Sequence, residues 1–177
     1  MPVILALETA TAVATASLAR VRQGSIRVWW DWQGESRNLQ TSLFTALEEG
    51  YRAIQGRPDE TTAVVVGQGP GSFTGVKLGL GIAKTFGQTI PGCQVFAVPS
   101  YYGALPPDPE PGRMIAWTVP STRSSSYLVA VIPSEGGELE EVLPLGDFQN
   151  DEIRGALQDL GQGGLLLREP SPNLPSA

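Results

Sequence analysis

The sequence predicts an α/β fold in the order strand, strand, strand, helix, strand, helix, strand, and three observations carry that prediction. Residues Val64 to Lys84 pass from a β-branched run through a glycine- and proline-rich loop into a segment with small residues at helical spacing. This reads as buried strand, tight loop and helix. Leu39, Leu43, Ala46, Leu47, Gly50 and Ile54 repeat at helical spacing between Glu35 and Gln55, and Gly56 and Pro58 stop the helix. Ahead of both, three short apolar or alternating runs separated by turns read as an antiparallel meander.

Val3 to Leu7 has the length and apolar content of a strand, and Thr11 to Arg20 alternates enough to be its neighbour, with Glu8-Thr9-Ala10-Thr11 as the turn between them. Ile26 to Trp32 follows the Gly24-Ser25 break. Period-two alternation puts Ile26, Val28 and Trp30 on one face and Arg27, Trp29 and Asp31 on the other; tryptophans on both faces suggest either that the sheet is covered twice or that one of them simply lies half exposed. Phe44 and Tyr51 fall off the stripe of the first helix, which is therefore expected to touch two surfaces. Thr61 to Gly67 returns as a buried strand, and Gln94 to Val98 is the next.

Pro99 to Leu105 reads as a short capped helix, and the proline-rich stretch 106–112 is a stiff linker that can be neither helix nor central strand. The division is thus a first lobe over 1–105, the linker 106–112 and a smaller second lobe over 113–168. In the second lobe Met114 to Val119, Tyr127 to Ile132 and Leu139 to Leu143 read as strands. Asp147 to Leu160 reads as a helix opened by Asp147 and closed by Gly161, and Leu165 to Leu167 as a last strand. The tail 169–177 has no apolar pattern and is expected to be disordered.

Charge and composition remove several function classes. With 12 Lys and Arg against 18 Asp and Glu, the net charge is -6, which argues against independent binding of a polyanion. The chain has no histidine, so it lacks the commonest general base and the commonest metal ligand. Cys93 is the single cysteine, without an imidazole to activate it. Ser72 does not stand in a Gly-x-Ser-x-Gly elbow, because Gly71 directly precedes it and Phe73-Thr74 separate it from Gly75. No catalytic residue and no metal ligand is expected. The apolar start of the chain carries Glu8 and lacks a basic flank, so neither signal peptide nor membrane span is expected, and the location expected is cytoplasmic.

Three features stay open on residues alone. The loop Gly67 to Ser72 could cradle an anion on its amides and the helix start behind it, or could be a structural turn. Gly75, Gly79 and Gly81 each cost about 1 kcal/mol inside a helix. Either a helix packs closely on its own sheet there, or another helix crosses at short distance, from this chain or a partner. The Ser/Thr-rich run around Arg123 could hold an anion or be a solvated turn.

The segment Gly67-Gln68-Gly69-Pro70-Gly71-Ser72-Phe73-Thr74-Gly75-Val76-Lys77-Leu78-Gly79-Leu80-Gly81-Ile82-Ala83-Lys84 resembles the signature of the TsaB (YeaZ) family, the bacterial partner protein in threonylcarbamoyladenosine synthesis on tRNA. The resemblance implies a first lobe of the actin, sugar-kinase and Hsp70 superfamily (ASKHA, ribonuclease H-like), with βββαβα order, ahead of a reduced second α/β lobe. In that superfamily the first turn holds metal-phosphate through a carboxylate and hydroxyls. The candidate nucleotide or phosphate residues here are Glu8, Thr9, Thr11, Gly69, Gly71 and Ser72. Glu8 stands where TsaB sequences have an aspartate, and a plain turn carboxylate remains its alternative reading.

The function the resemblance implies is that of a non-catalytic scaffold or activating subunit. It would bind a TsaD-type catalytic subunit, with a TsaE-type ATPase, for threonylcarbamoyl transfer to the adenosine next to the anticodon. The expected partner interface is Leu39, Leu43, Leu47, Phe73, Thr74, Gly75, Leu78, Gly79 and Ile82. A homodimer in isolation, tRNA contact only through the complex, no cofactor of its own, and ATP or ADP at the complex interface complete the expectation. The alternative is a nucleotide-binding ATPase or small-molecule kinase of the same superfamily.

Overall fold

The computed structural model describes residues 2–35, 38–106, 108–160 and 165–168. The chain divides into two compact units, Met1–Ser100 and Tyr101–Ala177. The first comprises β1 (Val3–Glu8), β2 (Val13–Arg22), β3 (Ser25–Glu35), α1 (Leu39–Ala53), β4 (Thr61–Gly67), α2 (Phe73–Thr89) and β5 (Gln94–Val98). The strands form one mixed sheet in the order β3-β2-β1-β4-β5. β1 pairs antiparallel with β2 and parallel with β4, so it is the centre of the sheet.

The core of this unit lies on one sheet face. Val3, Leu5, Leu7, Ala16, Leu18, Val64 and Val66 project there and pack with Leu39, Leu43, Leu47 and Tyr51 of α1 and with Ile82 and Ala83 of α2. Both helices therefore share a face, and the sheet is not covered twice by the helices of its own unit. β3 starts the correction: Leu18 pairs with Trp30 but Ala19 pairs with Val28, leaving Trp29 as an extra residue in a β-bulge. The bulge reverses the alternation. Trp30 and Trp32 turn toward the helices, while Ile26 and Val28 turn to the opposite face and are 68% and 54% exposed.

β3 also runs on through Glu35, so α1 begins at Leu39, later than its sequence pattern suggests. All six residues of the predicted stripe of α1 are buried. Tyr51 joins them because its hydroxyl meets the Thr61 hydroxyl at 2.7 Å, whereas Phe44 stays half exposed.

The second unit comprises β6 (Ile115–Pro120), β7 (Ser125–Pro133), β8 (Leu139–Gln149), α3 (Ile153–Asp159) and β9 (Leu165–Arg168). Its sheet order, β8-β7-β6-β9, repeats β3-β2-β1-β4 of the first unit, again with a helix before the parallel strand. Trp117, Val119, Val129 and Val131 build one side of its core, with Tyr101 against them. Asp147 lies in β8, opposite Tyr127, and does not cap the helix. α3 starts only at Ile153. The run around Arg123 is a turn whose Ser125 and Ser126 are buried at the start of β7. Gly161 as a helix stop and the tail 169–177 lie outside the described residues.

Candidate functional site

Three pieces meet at the carboxyl ends of β1 and β4: the β1–β2 turn, the loop between β4 and α2, and Ser100. Gly69 and Gly71 have φ of 91° and 151°, and a Cβ at Gly71 would strike the Ala10 carbonyl, so glycine is required there by both backbone and space. Ser72 N–H donates to the Ala10 carbonyl at 2.6 Å, tying the loop to the turn. The Ser72 hydroxyl caps α2 by accepting from Gly75 N–H at 3.3 Å.

The turn packs against α2 from the other side. Thr9, wholly buried, donates its hydroxyl to the Gly75 carbonyl at 2.7 Å. A Cβ at Gly75 would collide with the Thr9 carbonyl, and one at Gly79 would press on the Thr9 hydroxyl at 2.5 Å and on Val66 at 3.2 Å. Gly75 and Gly79 thus make room for this chain's own turn and strand. Gly81 meets nothing within 4 Å.

Glu8 reaches back over the turn and accepts from Ala10 N–H at 2.7 Å. Its other oxygen fills the space above Gly67, beside Ser100. Burial pushes the carboxyl above its ordinary value, an effect partly offset by hydrogen bonds from the Ser100 hydroxyl and from the Ala10 and Thr9 amides. Ser100 closes the loop from the far side: its hydroxyl accepts from Gly69 N–H at 3.0 Å, and its N–H donates to the Gly69 carbonyl at 2.9 Å. Being 2% exposed, Ser100 is a lock and not a nucleophile open to substrate. Thr11 donates to the Val13 carbonyl at 2.7 Å within its own turn.

Of the six candidate phosphate residues, the structure therefore brings Glu8, Thr9, Gly69, Gly71 and Ser72 together, with Thr11 one step away. Their polar groups are taken up by Ala10, Val13, Gly75 and Ser100. Sequence reasoning missed Ser100, because its partners lie some thirty residues earlier in the chain and no local spacing marks them.

The nine expected interface residues separate. Leu39, Leu43, Leu47, Gly75, Gly79 and Ile82 are buried, the leucines and Ile82 in the unit's own core and the two glycines against its turn. Leu78 is partly buried against the same core. Only Phe73 and Thr74 are exposed. The Phe73 ring is 72% exposed at the start of α2, with the Lys77 ammonium 4.1 Å from its centroid.

The strand order β3-β2-β1-β4-β5 and the shared face of α1 and α2 make the first unit a mixed α/β lobe of the kind the sequence resemblance implies. The particular fold is that of YeaZ. YeaZ from Pseudomonas aeruginosa superposes with a TM-score of 0.68, covering 97% of this chain and 85% of that one at 16% identity. Residues 34–102 match the family described as TsaD: tRNA N6-adenosine threonylcarbamoyltransferase. Both findings are consistent with the TsaB (YeaZ) resemblance carried by Gly67 to Lys84.

An uncharacterized protein of Mycobacterium leprae is 33% identical over 95 residues, 51% of this chain and 25% of its own length. One of Mycobacterium bovis is 32% identical over 98 residues, 54% of this chain and 44% of its own length. The matches thus span less than half the length of these curated relatives.

Proposed function

We propose that this chain is a non-catalytic subunit in threonylcarbamoyl transfer to the adenosine next to the anticodon of tRNA, binding and activating a TsaD-type catalytic subunit alongside a TsaE-type ATPase. The observation that carries the reading is the match of residues 34–102, from the end of β3 through α1, β4, α2 and β5, to the TsaD-described family. The chain has no histidine for a catalytic metal, so the chemistry falls to the partner. The self-bonded turn and loop support the same division: Glu8 and Ser100 occupy the space above Gly67. In this reading ATP or ADP sits at the contact with the partner, and tRNA is held by the assembled complex in the cytoplasm.

The face offered to the catalytic subunit is the solvent side of α1 and α2, where Phe73 and Phe44 are exposed. Exposed aromatic rings are the side chains most often buried to advantage in an interface. A second copy of the chain would use the same rings in a homodimer. No helix among the described residues is long and apolar enough to cross a membrane.

The test is capture of a TsaD-type catalytic subunit by the tagged full chain, with Phe73→Glu and Phe44→Glu as variants. Capture by the wild type, reduced about tenfold or more in the double variant at an unchanged melting temperature, is expected. No capture by the wild type, or equal capture by both proteins, would overturn the reading.

A further inference from the structure

Within this acidic chain the end of the β2–β3 hairpin gathers arginines on one face. The register places Arg20 opposite Arg27, with Arg22 two residues further along β2. By the pairing of Leu18 with Trp30 and of Arg20 with Arg27, all three lie on the face that carries the helices, beyond the end of α1. Arg20 donates to the Ile54 carbonyl at 3.1 Å just past that helix, and its guanidinium stands 5.0 Å from the Trp29 ring centroid. Arg22, Arg27 and Trp29 are exposed, Trp29 by half. None of the three arginines makes an ion pair among the described residues, although Asp and Glu outnumber Lys and Arg in the chain.

We propose that this shelf is a contact site for the backbone of single-stranded RNA, with the exposed Arg22 and Arg27 as its phosphate contacts and Trp29 as a stacking surface for a base, while Arg20, its Nε buried and its Nη2 bonded to the Ile54 carbonyl, serves as the support for the Trp29 ring. Guanidinium forks fit phosphate oxygens in pairs. Arg22 and Arg27 are diagonal neighbours across the two strands, about 7 to 8 Å apart, a step of the order of that between successive phosphates in an extended single strand. A half-exposed indole beside such a row supplies the stacking that sequence-tolerant RNA binding uses. An acidic polypeptide would find the charges but no use for the indole as a base platform.

The bulge is what assembles the shelf. Without the extra residue, β3 alternation would send Arg27 and Trp29 to the face opposite Trp30 and Trp32. The net charge of -6 opposes any polyanion. The shelf therefore adds to the hold of another subunit, and the chain alone binds weakly and only at low salt. RNA contact here and pairing with a catalytic subunit are separable, since the shelf shares no residue with Phe73 or Phe44.

The experiment measures fluorescence anisotropy of a labelled oligouridine RNA with the full chain over a salt series. Weak saturable binding at low salt is expected, reduced about tenfold in Arg22→Gln/Arg27→Gln. The slope of log affinity against log salt should fall by about 1.4 for the two lost phosphate contacts, at about 0.7 each. Trp29→Ala should weaken binding without changing that slope. Arg22→Gln alone, at an exposed position beside the turn, should give half the slope change and melt as the wild type does. Absence of binding by the wild type at low salt, an unchanged slope in both arginine variants, or equal competition by polyglutamate would overturn the proposal. The last of these would assign the shelf to an acidic protein.

Discussion

The Thr9 hydroxyl donates to the Gly75 carbonyl at 2.7 Å across 66 residues of sequence, and a methyl group added at Gly75 would strike the Thr9 backbone. The obstacle is a carbonyl in a buried turn, not the tip of a flexible side chain. Gly75→Ala is therefore expected to lower stability by about 1 to 3 kcal/mol. Gly81→Ala, with open space around it in the same helix, should raise stability by up to about 1 kcal/mol. Melting curves of the two variants should move in opposite directions, and a common direction would show that the Thr9 contact does not set the cost.

Gly79→Leu tests the same packing one turn later. Its side chain would press on Thr9 and Val66 inside the unit's own core. The expected outcome is a lowered melting temperature, in line with about 1 to 3 kcal/mol of overpacking. A variant that melts like the wild type yet assembles differently in sedimentation equilibrium would restore the helix-crossing explanation.

Tyr51 and Thr61 share a buried hydrogen bond of 2.7 Å between α1 and the start of β4, and burial pushes the phenol up to about 12. Tyr51→Phe leaves the Thr61 hydroxyl buried and unpaired, at a cost of about 1 to 3 kcal/mol. Thr61→Val added to Tyr51→Phe should recover part of that loss. Urea unfolding of the single and double variants measures both, and strictly additive losses would count against the bond.

Glu8 gives stability a pH dependence of defined sign. Burial, the leading cause, raises its folded carboxyl above the ordinary value of 4.5. The folded chain therefore keeps this proton where the unfolded chain has released it, and the contribution is complete below 4.5 and declines as pH rises through the raised value. Glu8→Gln stays neutral and keeps an acceptor for Ala10 N–H. The stability of the variant relative to wild type should increase as pH goes from about 4 to about 7. A difference that stays flat over that range would remove Glu8 as the titrating group.

What periodicity could reveal in this chain was local. Leu39, Leu43 and Leu47 announce α1, and Val64 to Val66 announce β4, because each pattern is complete within one element. The bulge at Trp29 adds one residue without altering the β-branched and aromatic composition of its strand, so the facing of Ile26 and Val28 came out reversed. Pro144 and Gly146 resemble a strand end. Yet β8 continues to Gln149, because it lies at the edge of its sheet, where a missing N–H costs no ladder bond, and its register shifts opposite Val129.

The candidate site was legible as a list of residues, not as an arrangement. Gly75 and Gly79 are explained by Thr9, and Gly71 by the Ala10 carbonyl, at separations no window of sequence spans. The burial of six of the expected interface residues has a related cause. Helical spacing identifies an apolar face but not whether the protein itself already covers it.

Because β1 sits at the centre of its sheet, the order of synthesis matters. Its first neighbour, β2, arrives within a few residues and can pair as a hairpin, but its other edge has no strand to meet until Thr61–Gly67 has been made. The Ala10 carbonyl must wait longer, for Ser72. A nascent chain therefore carries Val3, Leu5 and Leu7 with one side of their strand unpaired while β2, β3 and α1 emerge. Closing that gap requires a contact of high sequence separation, the slow kind of step that leaves a strand edge open to wrong partners. The ribosome and early chaperones would meet this protein as an incomplete sheet.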